Sequence, residues 1–378
     1  MTMIKFITAL LVATVAVAPQ LAWGQPQVQP RIFVNPGHGG HDNNDRPEPF
    51  YNQGQQRRVE YYESNSNLTH GLALAEMLRD RGYDVALSRY TNTSDDDLNL
   101  TEICQLAANS GADLFYAVHS NDTDGSRAVN FPLGLYRGYT DDPAVAGSDV
   151  LSRIIVRNLM TNQATNWDRD GYSRGDWSFY NWGYGVGLGV LRYNKLPAVL
   201  VESSFHGYLA ERERLLNTDY MRLEAFLEAN GIDEYFGRGP VDRGMIAGTV
   251  RFDSLRTDLR RTFGSDCYVP ANSMPVTLLD AQGNEHVSYL TDDMNNGFFS
   301  FENLAPGTYT VSVDGAQDRK VRVSAGNVTY CSMMIGLQAG EEPINPDSVS
   351  TPNSSRGHQI KVDDEELQKY LNNEGEQQ

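Results

Sequence analysis

From Arg31 to Ala229 the chain alternates short apolar runs with stretches of helical period, and few architectures accept that order. Arg31-Ile32-Phe33-Val34-Asn35 reads as a buried strand. Leu68, Leu72, Ala75, Met77 and Leu78 then give a helix ending at Gly82, and Tyr83 to Leu87 a second strand. Ile103 to Ala108 predicts a helix, Asp113 to Val118 a strand, Asp149 to Met160 a helix, Ala198 to Val201 a strand and Thr218 to Ala229 a last helix. Strands separated by helices of this length require crossovers. The expected fold is therefore α/β, a mostly parallel twisted sheet with helices on both faces. Past Gly237-Arg238-Gly239-Pro240 the helical period stops. Ile246 to Phe252, Val276 to Asp280, Thr308 to Val313 and Val321 to Val323 predict strands of a small all-β sandwich.

These shifts divide the chain into a leader at residues 1–24, an α/β part at 31–236, a β part at 245–337 and a tail at 338–378. The leader has Lys5 before an apolar run from Phe6 to Pro19, with Ala22-Trp23-Gly24 in the small-residue pattern of a cleavage site. It predicts a secretory signal peptide and an exported, periplasmic or secreted protein. No later run approaches the ~20 apolar residues of a transmembrane helix. The tail is acidic and poor in aromatics, which predicts disorder. The formal net charge of −18 argues against nucleic acid as a partner, because polyanions need a basic surface. Of three cysteines, Cys267 and Cys331 can pair in an oxidising compartment, and Cys104 falls in an apolar helix pattern.

Three polar groups stand where strands of the α/β part end: His38, His119 and Glu202. In an open parallel sheet those ends share one edge, where ligands bind. Glu63 precedes the helix that starts near Asn65 and can reach the same edge. Two imidazoles and a carboxylate make a catalytic zinc site with one open position, and a second carboxylate then serves as the proton carrier. Spacing leaves open which glutamate has which task. No His-Glu-x-x-His helix exists in the chain, which excludes that class of zinc peptidase.

The residues of this set resemble the zinc-dependent N-acetylmuramoyl-L-alanine amidases of the amidase 3 family, over about Arg31 to Tyr235. The resemblance is carried by Pro36-Gly37-His38-Gly39-Gly40, by Glu63 four residues before Asn67-Leu68, by Ala108-Asn109 with Asp113-Leu114-Phe115 and His119-Ser120-Asn121, and by Pro197-Ala198-Val199-Leu200-Val201-Glu202. It implies Zn2+ as cofactor, held by His38, Glu63 and His119, with Glu202 catalytic and peptidoglycan or muropeptides as substrate. Cys104, Ser204 and His206-Gly207-Tyr208 depart from the family pattern, the last two beside Glu202. The β part resembles a carboxypeptidase-regulatory-like, transthyretin-like sandwich through Gly248-Thr249-Val250, Gly297 to Phe301 and Pro306 to Val311. That implies an accessory module for contact with wall or protein. The alternatives are a zinc carboxypeptidase or other peptidase acting on wall peptides, and a wall-binding protein without turnover.

Three histidines of the α/β part and one aromatic stretch stand outside the set. His41 is expected in a loop, and His70 lies two helical turns beyond Glu63, too far to share a metal. His206 is the candidate for a further group near substrate. The stretch Trp167 to Tyr193, with Trp177, Tyr180, Trp182 and Tyr184 among glycines, suits either sugar contact in a groove or packing of a long loop.

Overall fold

A computed structural model describes residues 29–41, 47–123, 128–257 and 261–336. The leader and the acidic tail expected from the sequence lie outside the described residues. The α/β part contains β1 (Arg31–Pro36), β2 (Glu48–Asn52), β3 (Arg57–Tyr61), α1 (Glu63–Asp80), β4 (Asp84–Leu87), α2 (Leu100–Ser110) and β5 (Leu114–Asn121). Then follow β6 (Leu133–Tyr136), α3 (Ser148–Leu159), β7 (Tyr172–Gly175), β8 (Ala198–Phe205), α4 (Leu209–Arg214) and α5 (Thr218–Tyr235). The main sheet has the order β4-β1-β5-β8-β6-β7. Its first four strands are parallel, as the alternation of strands and helices demands. β6 instead runs antiparallel to β8, pairing Leu200 with Leu135, and β7 is parallel to β6. β6 enters from the edge where β5 ends, so that connection needs no crossover helix.

Period-2 alternation sends each strand's side chains to two separate cores. Ile32, Val34, Leu114, Tyr116, Val118, Val199 and Val201 meet helices α1, α3 and α5 on one face, through residues such as Leu74, Ile155 and Leu223. Phe33, Phe115, Ala117, Ala198 and Leu200 meet Ile103 and Ala107 of α2 on the other. Because both faces are covered, the strands carry apolar residues almost continuously. Each fully buried Leu, Val or Phe contributes roughly 1.5–3 kcal/mol.

A buried polar cluster interrupts the first core. His70 on α1 is buried against α5, with Nε2 2.8 Å from Glu228 and Nδ1 3.7 Å from Glu224, and the Ser203 hydroxyl donates to Glu224 at 3.1 Å. His70 thus packs in the interior with two carboxylates as partners. Burial pushes Glu224 up to about 8, helped by Glu211 and Glu228 and opposed by His70. Burial lowers the His70 pKa, yet the two glutamates outweigh it and the net shift is upward. Both shifts have the same consequence for pH. The contribution of Glu224 is lost as pH rises from about 4.5 towards 8, and that of His70 is full below its unfolded value near 6.5 and lost above. Glu224→Gln is therefore expected to flatten the fall of melting temperature between about pH 5 and pH 8. A variant whose profile matches the parent's would remove Glu224 as its source.

The β-rich part is built on β9 (Gly244–Arg256), which pairs antiparallel with the strands Tyr268–Pro270 and Phe298–Leu304 and parallel with Val328–Tyr330 and Met333–Ile335. A second sheet of Pro275–Leu279, Glu285–Leu290, Gly307–Val313 and Arg319–Val323 packs over it, enclosing Ile246, Val250, Val276, Leu278, Phe299 and Val311. β9 alternates as well: Met245 and Ala247, with Phe298, join the helix-side core of the α/β part. The two parts thus share apolar packing. The pairing of Cys267 with Cys331 is not formed, since Cys331 Sγ sits 3.8 Å from Met333 Sδ while Cys267 Sγ lies beside Thr262.

Among the described residues no helix is long and apolar enough to cross a membrane.

Candidate metal centre

Where β1 ends, the backbone continues along β5, with Gly37 N donating to Val118 O at 2.9 Å. A Cβ on Gly37 would lie 2.1 Å from the His119 ring, so only glycine lets the two strand ends come this close. The next residue, His38, has φ +60°, a left-handed conformation uncommon outside glycine and costly enough to mark a functional turn. Arg89, buried just after β4, holds this turn by donating to Pro36 O at 3.0 Å, Gly37 O at 2.9 Å and Ser64 O at 2.7 Å.

Glu63 opens α1, in the first turn, where the helix dipole favours an anion. Its Oε2 is 3.0 Å from His38 Nε2, and its Oε1 is 3.2 Å from His119 Nδ1. Ser120 N donates to Glu63 at 3.0 Å and Asn67 Nδ2 at 3.1 Å, fixing the carboxylate. One donor atom from each of His38, Glu63 and His119 falls within 4.8 Å of the others, and among the described residues no other group of His, Cys, Asp and Glu does this. The three side chains are 13–15 % exposed, so the cluster opens to solvent on one side. Burial pushes Glu63 up, but the charges and hydrogen bonds of both histidines hold it well below the usual carboxylate range. Burial pushes His119 down, further than Glu63 raises it, which favours the neutral imidazole that a metal needs.

Glu202 is the register partner of His119 in the parallel pair β8 and β5. Both side chains therefore leave the same sheet face on adjacent strands, about one strand spacing (~4.8 Å) apart at the backbone. The β8 register shifts between Glu202 and Phe205, and such irregularities re-aim side chains beside active sites. All four residues singled out from the sequence thus lie at one sheet edge.

The other candidates have different places. His41 stacks on Tyr62 with ring centroids 3.8 Å apart and bonds Asn65 through Nε2, outside the cluster. His206 is buried behind it, with Nδ1 2.9 Å from Ser120 Oγ and its ring stacked on Tyr61. It supports Ser120, which in turn holds Glu63; burial pushes its pKa down. Part of the aromatic stretch packs, while Tyr184 and Tyr193 stay exposed. Trp177 is buried, Tyr180 stacks on Trp182, and Phe179 and Leu188 fill the second core. β7 aligns Tyr172 with Leu133, the partner of Glu202, and Gly175 with Tyr136, so Asp176 and Trp177 leave the sheet at the end away from Glu202. Sequence reasoning missed Arg89 and the supporting roles of Ser120 and Asn67. The signal for Arg89 was a lone cation closing the apolar run of β4.

A family profile described as N-acetylmuramoyl-L-alanine amidase matches residues 32–234. The sporulation-specific N-acetylmuramoyl-L-alanine amidase of Bacillus subtilis is 26 % identical over 208 residues, 54 % of this chain and 68 % of that protein. The uncharacterized protein YqiI of Bacillus subtilis is 25 % identical over 230 residues, 60 % of this chain and 95 % of its own length. Among solved structures, the N-acetylmuramoyl-L-alanine amidase of Clostridium difficile 630 is 24 % identical with a TM-score of 0.43, over 56 % of this chain and 99 % of that one. Since the profile spans more than half of the sequence, the chain belongs to the N-acetylmuramoyl-L-alanine amidase family.

Proposed function

We propose that the chain is an exported, zinc-dependent enzyme that hydrolyses the amide between the lactyl group of N-acetylmuramic acid and L-alanine in peptidoglycan. The observation that carries this reading is the convergence of His38, Glu63 and His119 with Glu202 one strand away. Two imidazoles and one carboxylate suit zinc better than magnesium or calcium, which prefer oxygen alone, and the partly open cluster leaves room for substrate. Held by His38, Glu63 and His119, zinc would supply an acidified water and a polarised amide carbonyl. Glu202 then takes the proton of the attacking water and delivers it to the L-alanine nitrogen as the C–N bond breaks. Glu63 stays ionised, and Ser120, Asn67 and Arg89 keep the donors in place.

A digest of sacculi with and without chelator, read by mass, tests the reaction. Intact stem peptides with a new L-alanine amino terminus are expected only without chelator. Release of single amino acids from stem ends would replace the amidase with a carboxypeptidase. His38→Ala, Glu63→Ala and His119→Ala are each expected to lose zinc, and full occupancy in all three by metal analysis would overturn the ligand set.

A further inference from the structure

The hairpin β2–β3 leads directly into Glu63, with only Tyr62 between the end of β3 and α1. Its two strands pair with each other and, among the described residues, with no third strand. An isolated two-stranded hairpin is marginal in water, so its position depends on what grips it. At its base, Tyr61 is buried with its hydroxyl 2.5 Å from Ser66 Oγ and 2.9 Å from Ser120 Oγ, and Glu48 pairs with Arg212 of α4 at 3.0 Å.

The tip is gripped by the β-rich part. Asn52, fully buried, donates to Met294 O at 2.8 Å and to Glu213 of α4 at 3.4 Å. Gln55 donates to Asp293 Oδ1 at 2.8 Å. Gly54 sits so close that a Cβ there would lie 2.1 Å from Asp293 O. Asn295, buried and with φ +66°, donates to both Glu213 carboxylate oxygens at 3.0 and 3.1 Å. Asn296 donates to Glu213 O at 3.2 Å. One loop of the β-rich part therefore holds both the hairpin tip and α4, the helix that begins four residues after Phe205, the end of β8.

We propose that the loop Asp292 to Asn295 is a positioning element for the metal site: it fixes the tip of β2–β3 through Asn52, Gly54 and Glu213, and the hairpin in turn fixes Glu63. This rests on the zinc reading above. It gives the β-rich part a role inside the reaction of its neighbour. The residues of the loop touch no candidate ligand, and their effect passes through Tyr61 and the first turn of α1.

The test uses the full chain in three variants. Asn295→Ala removes the Glu213 partner, and Gly54→Ala pushes the tip off the loop. Val276→Ala is a destabilised control in the β-rich core, outside the loop itself. Zinc affinity by chelator competition and amide hydrogen exchange of the metal-free protein are measured for each. Asn295→Ala and Gly54→Ala are expected to weaken zinc binding about ten-fold, the usual cost of losing a ligand's support. Exchange should rise in residues 48–63 beyond the rise elsewhere. Val276→Ala should leave both unchanged after correction for its melting temperature. Zinc affinities within about two-fold of the parent in the first two variants, or an equal loss in the control, would overturn the proposal. Glu63→Ala separates the two readings. If that variant keeps full zinc affinity, the metal assignment fails; if it loses zinc while Asn295→Ala and Gly54→Ala do not, only the positioning role fails.

Discussion

Glu202→Gln is expected to lower amide hydrolysis by about 10²–10⁴-fold while zinc content stays at the parent's value. The amide side chain keeps the shape of the carboxylate and removes its ability to take a proton. Backbone pairing of Glu202 with His119 on one side and Leu133 on the other does not depend on the side chain, so the strand holds its register. Substrate binding should change little, so the loss falls in kcat more than in KM. Stem-peptide release within ten-fold of the parent, in a protein that still carries zinc, would remove Glu202 from proton transfer. Loss of zinc together with activity would instead make it a ligand.

Asp266→Ala is expected to cost about 3–5 kcal/mol of stability in a urea titration, the effect of leaving buried cations without their counter-charge. Asp266 takes a bidentate contact from Arg214 of α4, at 2.7 and 3.0 Å, a third from Arg251 of β9 at 2.7 Å and a fourth from the Tyr208 hydroxyl at 2.9 Å. Arg214 also reaches Glu211 Oε2 at 2.7 Å from the other side. Burial pushes Asp266 up, yet the two guanidinium groups hold it down at about 2. A depressed carboxylate stabilises the fold above its unfolded value near 3.8 and loses that contribution as pH falls towards 2. The difference between parent and variant should therefore shrink in acid below about pH 4. A cost under about 1 kcal/mol at neutral pH would show that the site relaxes or hydrates.

The strands and helices that position the candidate site were legible because each is buried on faces that its own period announces. Phe33 and Val34 point to opposite cores and are both apolar, so β1 reads as a central strand without any knowledge of its neighbours. The strand ends that carry the candidate site were legible for the same reason: His38, His119 and Glu202 break apolar runs. Much less legible was the hairpin β2–β3, where Arg57, Arg58 and Glu60 face solvent and only Phe50, Asn52 and Tyr61 are buried. Its polar composition resembles a loop. α4 carries Glu-Arg-Glu-Arg, which read one residue at a time is a solvated helix, and yet all four side chains are buried. Their partners lie as far as 82 residues away, at Asp266 and Asn295, and pairing at that distance has no local signature.

The contact between the two halves has a consequence for recombination. The chain passes from α5 to β9 through eight residues, 236–243, whose Gly-Arg-Gly-Pro composition invites a cut or a domain exchange. A protein severed there would expose the faces of Met245, Ala247 and Phe298 and strand Arg214 in a half without Asp266. A foreign C-terminal module grafted at this junction would need its own acid for Arg214 and its own loop for the hairpin.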